Sequence, residues 1–270
     1  MSNIPVVSQA QTKSQTNAPI NNVPVVDISP PNPKENTPKA LTEPILPPKK
    51  SNHGVLFSFT LTYILLLTTA TITIIEALRT PYPSARHVMN LETCISVIAG
   101  YFYSLFVQKV QNYSIEDKPI DWNELTQMRY IDWSITTPLM LLVLCLALGQ
   151  SNGIKLHIHT YGYIVVLNYI MLFTGYLGET KVWSRLGSSI AGFIPFTMMF
   201  YLIYNTFVKP KKSMFNSVFF AIYVFIWALY GIVYLLDETY KNIAFNTLDL
   251  IAKCFVGLGL WAYFAKIIVI

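Results

Sequence analysis

Seven apolar segments dominate this chain, at roughly 54 to 78, 88 to 108, 127 to 149, 157 to 178, 186 to 208, 214 to 236 and 242 to 270. Each is about 20 residues or longer, the length at which a helix rising ~1.5 Å per residue crosses a hydrocarbon core of about 30 Å. Membrane-spanning β-strands are about half as long. Lipid offers no hydrogen bonds, so a spanning segment has to satisfy its own backbone groups, which a helix does and a loose loop does not. The expectation is an all-α membrane protein, a bundle of seven transmembrane helices. Composition agrees: 53% apolar residues, 12% charged residues and a mean hydropathy of +0.44 are outside the range of an ordinary soluble domain.

Residues 1 to 50 are of another kind. They hold ten of the sixteen prolines together with Ser, Thr, Asn and Gln, a composition that predicts a disordered tail before a helical domain at 51 to 270. The tail lacks the basic start, apolar stretch and small-residue cleavage site of a signal peptide, so it is expected to stay on the protein. The net charge of +5 reads as a topology signal and not as a nucleic-acid surface, because the basic residues fall between apolar spans. Arg79 and Arg86 lie in the first link, Lys155, His157 and His159 in the third, and Lys209, Lys211 and Lys212 in the fifth. The second link instead carries Glu116, Asp117, Asp121 and Glu124. The positive-inside rule then puts the basic links in the cytoplasm, the N-terminal tail outside and the C-terminus inside, with Lys181 and Arg185 a mild exception. Cys94, Cys145 and Cys254 sit singly in apolar runs, which indicates neither a disulfide framework nor a metal cluster. No phosphate loop, nucleophile elbow or metal-ligand set appears, so enzyme chemistry is not expected.

Charged groups in the middle of a span are costly and need a partner or a purpose. Lys253 lies eleven residues after the start of the seventh segment and seventeen before its end, too deep to snorkel to either interface. Asp249 is one turn earlier, and the i, i+4 spacing stacks both side chains on one face. Taken alone, the pair is equally well read as a structural ion pair.

The third segment carries Arg129-Tyr130-Ile131-Asp132-Trp133-Ser134-Ile135-Thr136-Thr137-Pro138-Leu139, which resembles the third-helix signature of the microbial rhodopsins, the bacteriorhodopsin-like family. The seventh segment's Asp249-Leu250-Ile251-Ala252-Lys253 resembles that family's aspartate and retinal-binding lysine at their spacing. The likeness covers roughly residues 85 to 270 and leaves the tail without a counterpart. It implies a protonated Schiff base between Lys253 and all-trans retinal, neutralised by Asp132 and Asp249, since opposite charges favour the charged form of each partner. Arg129 is implied to balance the second carboxylate, and Thr136, one turn after Asp132, to hydrogen-bond it. The pocket implied is lined by Trp133, Thr137, Met140, Met171, Gly175, Trp227, Tyr230 and Tyr234, with Tyr103 near the carboxylates; singly, each of these reads as ordinary bundle packing. Gly231 and Tyr234 depart from the proline and tryptophan common in the sixth helix, which bears on colour and helix motion.

Photoisomerisation is implied to move the Schiff-base proton toward Asp132. Outward proton pumps of the family usually carry a carboxylate where this chain has Val143, and one release-group glutamate is replaced by Lys241, so slow reprotonation is expected, although Asp237 or Glu238 offers a substitute for the other release group. Glu92, Ser96 and Tyr103 share one face of the second segment, and Glu92 interrupts an apolar span, as a gate or cation path in a light-gated channel does. Its bland reading is a neutral acid bonded to a neighbouring helix. The rhodopsins of large algal viruses are the subgroup this chain most resembles. A light-gated cation channel leads, with an outward proton pump or a transducer-coupled sensor as alternatives. Its partners are expected to be retinal, the lipid bilayer, protons or small cations, and further copies of itself in a homo-oligomer.

Overall fold

A computed structural model of the chain describes residues 52–211, 213–265 and 267. The tail expected to be disordered and extracellular, and Lys212 of the fifth link, lie outside those residues. The described residues form seven helices long and apolar enough to cross a membrane: α1 His53–Arg79, α2 Pro83–Ile115, α3 Trp122–Asn152, α4 Ile158–Glu179, α5 Arg185–Val208, α6 Met214–Val233 and α7 Glu238–Phe264. No strand occurs among them. The helices depart most from the sequence bounds in α2 and α3, which run from Pro83 to Ile115 instead of 88 to 108 and from Trp122 to Asn152 instead of 127 to 149, and α7 starts at Glu238 instead of 242. Hydropathy marks only the lipid-facing length, whereas polar turns such as Gln111 to Ser114 continue the helix beyond it.

Local chemistry sets the helix ends and breaks. Asp121 caps α3 by accepting from the backbone N–H groups of Asn123 and Glu124 at 2.9 and 3.1 Å, while Gly153, at φ 70°, ends the helix in the left-handed conformation that glycine adopts freely. Pro138 interrupts α3. It has no N–H to give to the Ser134 carbonyl, and the Tyr169 hydroxyl of α4 donates to that oxygen at 3.0 Å. Two wider turns interrupt the α-helical ladder, Tyr204–Val208 in α5 and Leu250–Phe255 in α7, and the second contains Lys253.

The bundle is apolar outside and carries its buried charges within an otherwise apolar interior. Large apolar side chains such as Phe57, Ile64, Tyr101, Phe173, Ile194 and Phe225 are exposed around it, while Arg129, Asp132, Asp249, Lys241 and Lys253 are buried. Such a surface suits lipid and not water. α1 packs along α2 and α4 along α5. The larger apolar cluster joins Met89, Leu141, Val143, Leu144, Phe200 and Trp227; a second joins Phe59, Leu66, Tyr103, Phe106 and Leu125. All three cysteines are free.

Candidate functional site

The i, i+4 spacing of Asp249 and Lys253 and the helical spacing of Arg129 and Asp132 bring four charges together in the bundle. Lys253 Nζ donates to Asp132 Oδ2 at 2.8 Å and to Asp249 Oδ2 at 3.3 Å, with all three side chains at most 1% exposed. Arg129 Nη1 lies 3.7 Å from Asp249 Oδ2. The two carboxylates are held differently. Asp249 accepts from the Tyr230 hydroxyl at 2.7 Å, the Tyr103 hydroxyl at 2.9 Å and the Trp133 indole at 3.4 Å. Asp132 accepts from Lys253 alone, and its buried Oδ1 has no hydrogen-bond partner among the described residues. Thr136 does hydrogen-bond Asp132, donating to its backbone carbonyl at 2.9 Å and not to its carboxylate, because a buried hydroxyl reaches the carbonyl one turn back with least reorientation.

Arg129 is tied down by residues that no sequence spacing connects to it. Nη2 donates to the side-chain oxygens of Asn246 at 2.8 Å and Asn242 at 3.2 Å, and the guanidinium lies 5.2 Å from the Phe106 ring centre and 5.5 Å from that of Phe59. A buried guanidinium is tolerated when hydrogen-bond acceptors and aromatic faces share its charge in this way.

A cavity runs beside this charge cluster. Trp133, Thr137, Met140, Met171, Gly175, Trp227, Tyr230 and Tyr234 all line it, and so do Asp249 and Lys253. Tyr103 does not; it stands behind Asp249 and in contact with Arg129 at 3.3 Å. The lining also includes Tyr130, Leu172, Ser188, Ser189, Gly192, Phe193, Phe196, Gly231 and Phe245, which the sequence reading did not assign to the pocket. The α5 contribution of Ser188 to Phe196 carries no chemical signal in the sequence, because small and aromatic residues are common in any packed span. The sixth-helix departures have local explanations. A side chain at Gly231 would begin 2.6 Å from the Phe193 ring, and the Tyr234 hydroxyl donates to the Gly175 carbonyl at 2.8 Å. Thr137 accepts from the Asn168 amide at 2.8 Å, which fixes the α3 wall to α4.

Two further groups of charges lie elsewhere. Glu92 is 3% exposed on α2 against Gly257 of α7, where a Cβ would stand 2.9 Å from its Oε2; Ser96 is fully buried and its hydroxyl has no partner among the described residues. Lys241, 1% exposed, donates to both oxygens of Glu179 at 2.8 Å and to Glu238 at 3.0 Å, while Arg185 pairs with Glu238 and with Glu179. Arg185 is thus neutralised locally. Glu179 was not singled out from the sequence, being 62 positions from Lys241.

This arrangement matches a known family. The family described as bacteriorhodopsin-like protein matches residues 53–267. A crystal structure of the viral rhodopsin OLPVRII is similar at 42% identity and a TM-score of 0.73, covering 80% of this chain and 99% of that one. Bacteriorhodopsin of Halobacterium salinarum is 27% identical over 198 residues, 66% of this chain and 71% of its own length. A green-light absorbing proteorhodopsin of Gamma-proteobacterium EBAC31A08 is 26% identical over 152 residues, 50% of this chain, and the match spans 60% of the relative's length. The chain belongs to the bacteriorhodopsin-like family and is an integral, multi-pass membrane protein. Its cofactor is retinal, held as a Schiff base on a lysine. The residues present fit that group: an aromatic and apolar cavity suits a flat polyene, and Lys253 is the lysine on its wall, with two carboxylates ready to balance one positive charge.

Proposed function

We propose that this chain is a light-activated retinal protein in which Lys253 carries the chromophore, Asp132 is the first acceptor of the Lys253 proton, and cations are conducted under illumination. The observation that carries the photoreaction is the 2.8 Å contact between Lys253 Nζ and Asp132 Oδ2, within the reach needed for direct proton transfer. Bound retinal supplies the light absorption and the change of shape that weakens the hold on that proton. Asp132 has an oxygen free of other donors and so has room to take it. Asp249 is occupied by three donors and Arg129, which keep it a carboxylate throughout. Trp133, Thr137, Met140, Met171, Gly175, Trp227, Tyr230 and Tyr234 bind and orient the polyene, while Tyr103 and Arg129 position Asp249. Thr136 fixes the backbone beneath Asp132.

Conduction is supported by the polar line of Glu92 and Ser96 on α2 and by the apolar, fully packed Val143 on α3, where a pump of this family carries its internal acid. The basic links Arg79–Arg86 and Lys155 are assigned to the cytoplasm and the N-terminus to the outside. The intact Lys253–Asp132 pair favours a second reading, an outward proton pump. Voltage clamp under illumination separates them: a channel current reverses with membrane potential and cation gradient, a pump current stays outward, and a transducer-coupled sensor gives almost none. A strictly outward current indifferent to the cation gradient overturns the conduction proposal.

A further inference from the structure

We infer that Asn246 is a positioning residue: it ties Arg129 to α1, keeps the guanidinium charge beside the carboxylates that face Lys253, and so sets how readily Asp132 takes a proton. The inference rests on Lys253 carrying retinal and on Asp132 facing it; it does not depend on whether ions are conducted. Arg129 needs such a hold. Its one carboxylate partner among the described ion pairs is Asp249, at 3.7 Å, and its Nε has no hydrogen-bond partner among the described residues. It stands about 10 Å along the axis from Trp122, the first residue of α3, at ~1.5 Å per residue. A long cationic side chain this near a helix end gains hydration by turning outward unless other groups fix it.

Asn246 supplies the fixing groups, because its amide is committed on both sides. Ser58 of α1 gives its hydroxyl hydrogen to the Val55 carbonyl at 2.8 Å, so its oxygen is left as an acceptor, and Asn246 Nδ2 donates to it at 2.9 Å. Asn246 Oδ1 is thereby turned to the bundle interior, where it accepts from Arg129 Nη2 at 2.8 Å and lies 3.1 Å from the Tyr103 hydroxyl. The reversed amide would set an NH2 group against a guanidinium. The backbone is held as well, since Thr62 of α1 donates to the Asn246 carbonyl at 3.3 Å. Asn246 is fully buried, and one amide joins α1, α2 and α3 to α7. Asn242, one turn nearer the start of α7, accepts from the same Arg129 nitrogen at 3.2 Å but gives its own Nδ2 to the Glu238 carbonyl within α7 at 2.9 Å. Of the two, Asn246 alone carries the tie on to α1.

The consequence is electrostatic. The titratable and charged groups around Asp132 and Arg129 are Lys253 and Asp249 from α7, Tyr103 from α2 and Tyr230 from α6. From α1 come only the hydroxyls of Ser58 and Thr62 and the ring of Phe59. Two cations thus balance two carboxylates, and Arg129 is the cation that keeps its charge when Lys253 gives up a proton. A cation held within a few ångströms of a carboxylate opposes its protonation by roughly 1–3 pH units. Anchored on Asn246, Arg129 applies that field to the whole cluster; released, it takes the field with it toward water.

The test is a pH titration of the visible band, made on the full-length pigment in lipid nanodiscs for wild type, Asn246→Leu, Ser58→Ala, Arg129→Gln and Arg129→Gln with Asn246→Leu. Protonating the carboxylate that faces the Lys253 nitrogen removes a negative charge from that end of the chromophore and shifts the band to the red. The midpoint of that colour change reports the field at Asp132. In Asn246→Leu, which keeps the size of the side chain and loses its acceptor, the midpoint is expected to rise by at least about one pH unit. Ser58→Ala keeps the acceptor and loses the anchor, so a smaller rise is expected. Arg129→Gln gives the full rise, and adding Asn246→Leu to it is expected to move the midpoint by less than about 0.3 unit, because Asn246 acts through Arg129. A merely structural amide lowers the thermal stability of Asn246→Leu and leaves the midpoint at its wild-type value, which overturns the inference. A full Asn246→Leu shift in the Arg129→Gln background overturns it too. If Asn246→Leu does not fold, Ser58→Ala decides, and an unchanged midpoint there counts against the tie. Folded wild type without a visible band counts against the chromophore assignment, and a visible band with no acid-induced colour change counts against Asp132 as the facing carboxylate; the inference falls with either.

Discussion

Replacing Lys241 by methionine removes the cation from a buried cluster and leaves Glu179, itself only 5% exposed, facing Arg185 at 3.4 Å as its remaining ion-pair partner. Lys241 donates to both Glu179 oxygens at 2.8 Å and to Glu238 at 3.0 Å, so three charge-assisted hydrogen bonds are lost together. Bonds of that kind contribute roughly 1.5–3 kcal/mol each, but the sum overstates the effect because Arg185 moves in and water reaches the half-exposed Glu238. Removing one partner of a buried ion pair costs about 3–5 kcal/mol, and the presence of Arg185 puts this case near the lower end, about 3 kcal/mol. For a domain of this size that corresponds to a fall of about 6–12 °C in thermal midpoint, read from loss of the visible band on heating in detergent. The double variant Lys241→Met with Glu179→Gln abolishes the stranded charge as well and is expected to recover most of the loss, a coupling of about 2 kcal/mol in the mutant cycle. A single variant within about 1 kcal/mol of wild type, or a double variant whose cost is the sum of the two singles, refutes the reasoning.

Other outcomes follow from the same geometry. Asp132→Asn leaves Lys253 facing an amide that accepts no proton, so light-driven loss of the Lys253 proton, followed by time-resolved absorbance with a pH dye, should fall at least about 100-fold; an unchanged yield rules Asp132 out as acceptor. Gly175→Leu starts its side chain 2.7 Å from the Tyr130 hydroxyl on the cavity wall, so pigment regenerated from added retinal should drop sharply while the retinal-free protein stays folded by circular dichroism. Tyr169→Phe deprives the Ser134 carbonyl of the donor that replaces the missing Pro138 N–H, with an expected cost of about 1 kcal/mol in thermal stability; a neutral result shows that the carbonyl finds another donor.

Much of this was legible in the sequence because the membrane restricts the choices. Twenty-residue apolar runs leave only helices, and Asp249 with Lys253 one turn apart declare a shared face. The eight pocket residues were found through a motif on α3 carried to the other helices by resemblance, not through any periodicity of their own. What stayed hidden depends on three-dimensional adjacency. Asn242 and Asn246 look like ordinary polar residues of a helix start until Arg129 is seen to reach them across the bundle. Glu179 and Lys241 belong to different helices, and Lys241 alone reads as a lost function instead of one end of an ion pair. The wide turn at Leu250–Phe255 has no residue-type signature, so the local geometry of Lys253 was unreadable. Tyr103 is legible as a neighbour of the carboxylates, and the structure adds that it stands behind Asp249 and off the cavity wall.

Attachment of retinal to Lys253 underlies every step of the proposed photoreaction. Adding all-trans retinal to the expressed apoprotein tests it directly, with absorbance recorded for wild type and Lys253→Ala. The expected result is a visible band in wild type that borohydride under illumination converts to a reduced adduct on Lys253, and no such band in the variant. A visible band that survives Lys253→Ala, or no band in folded wild type, contradicts the assignment.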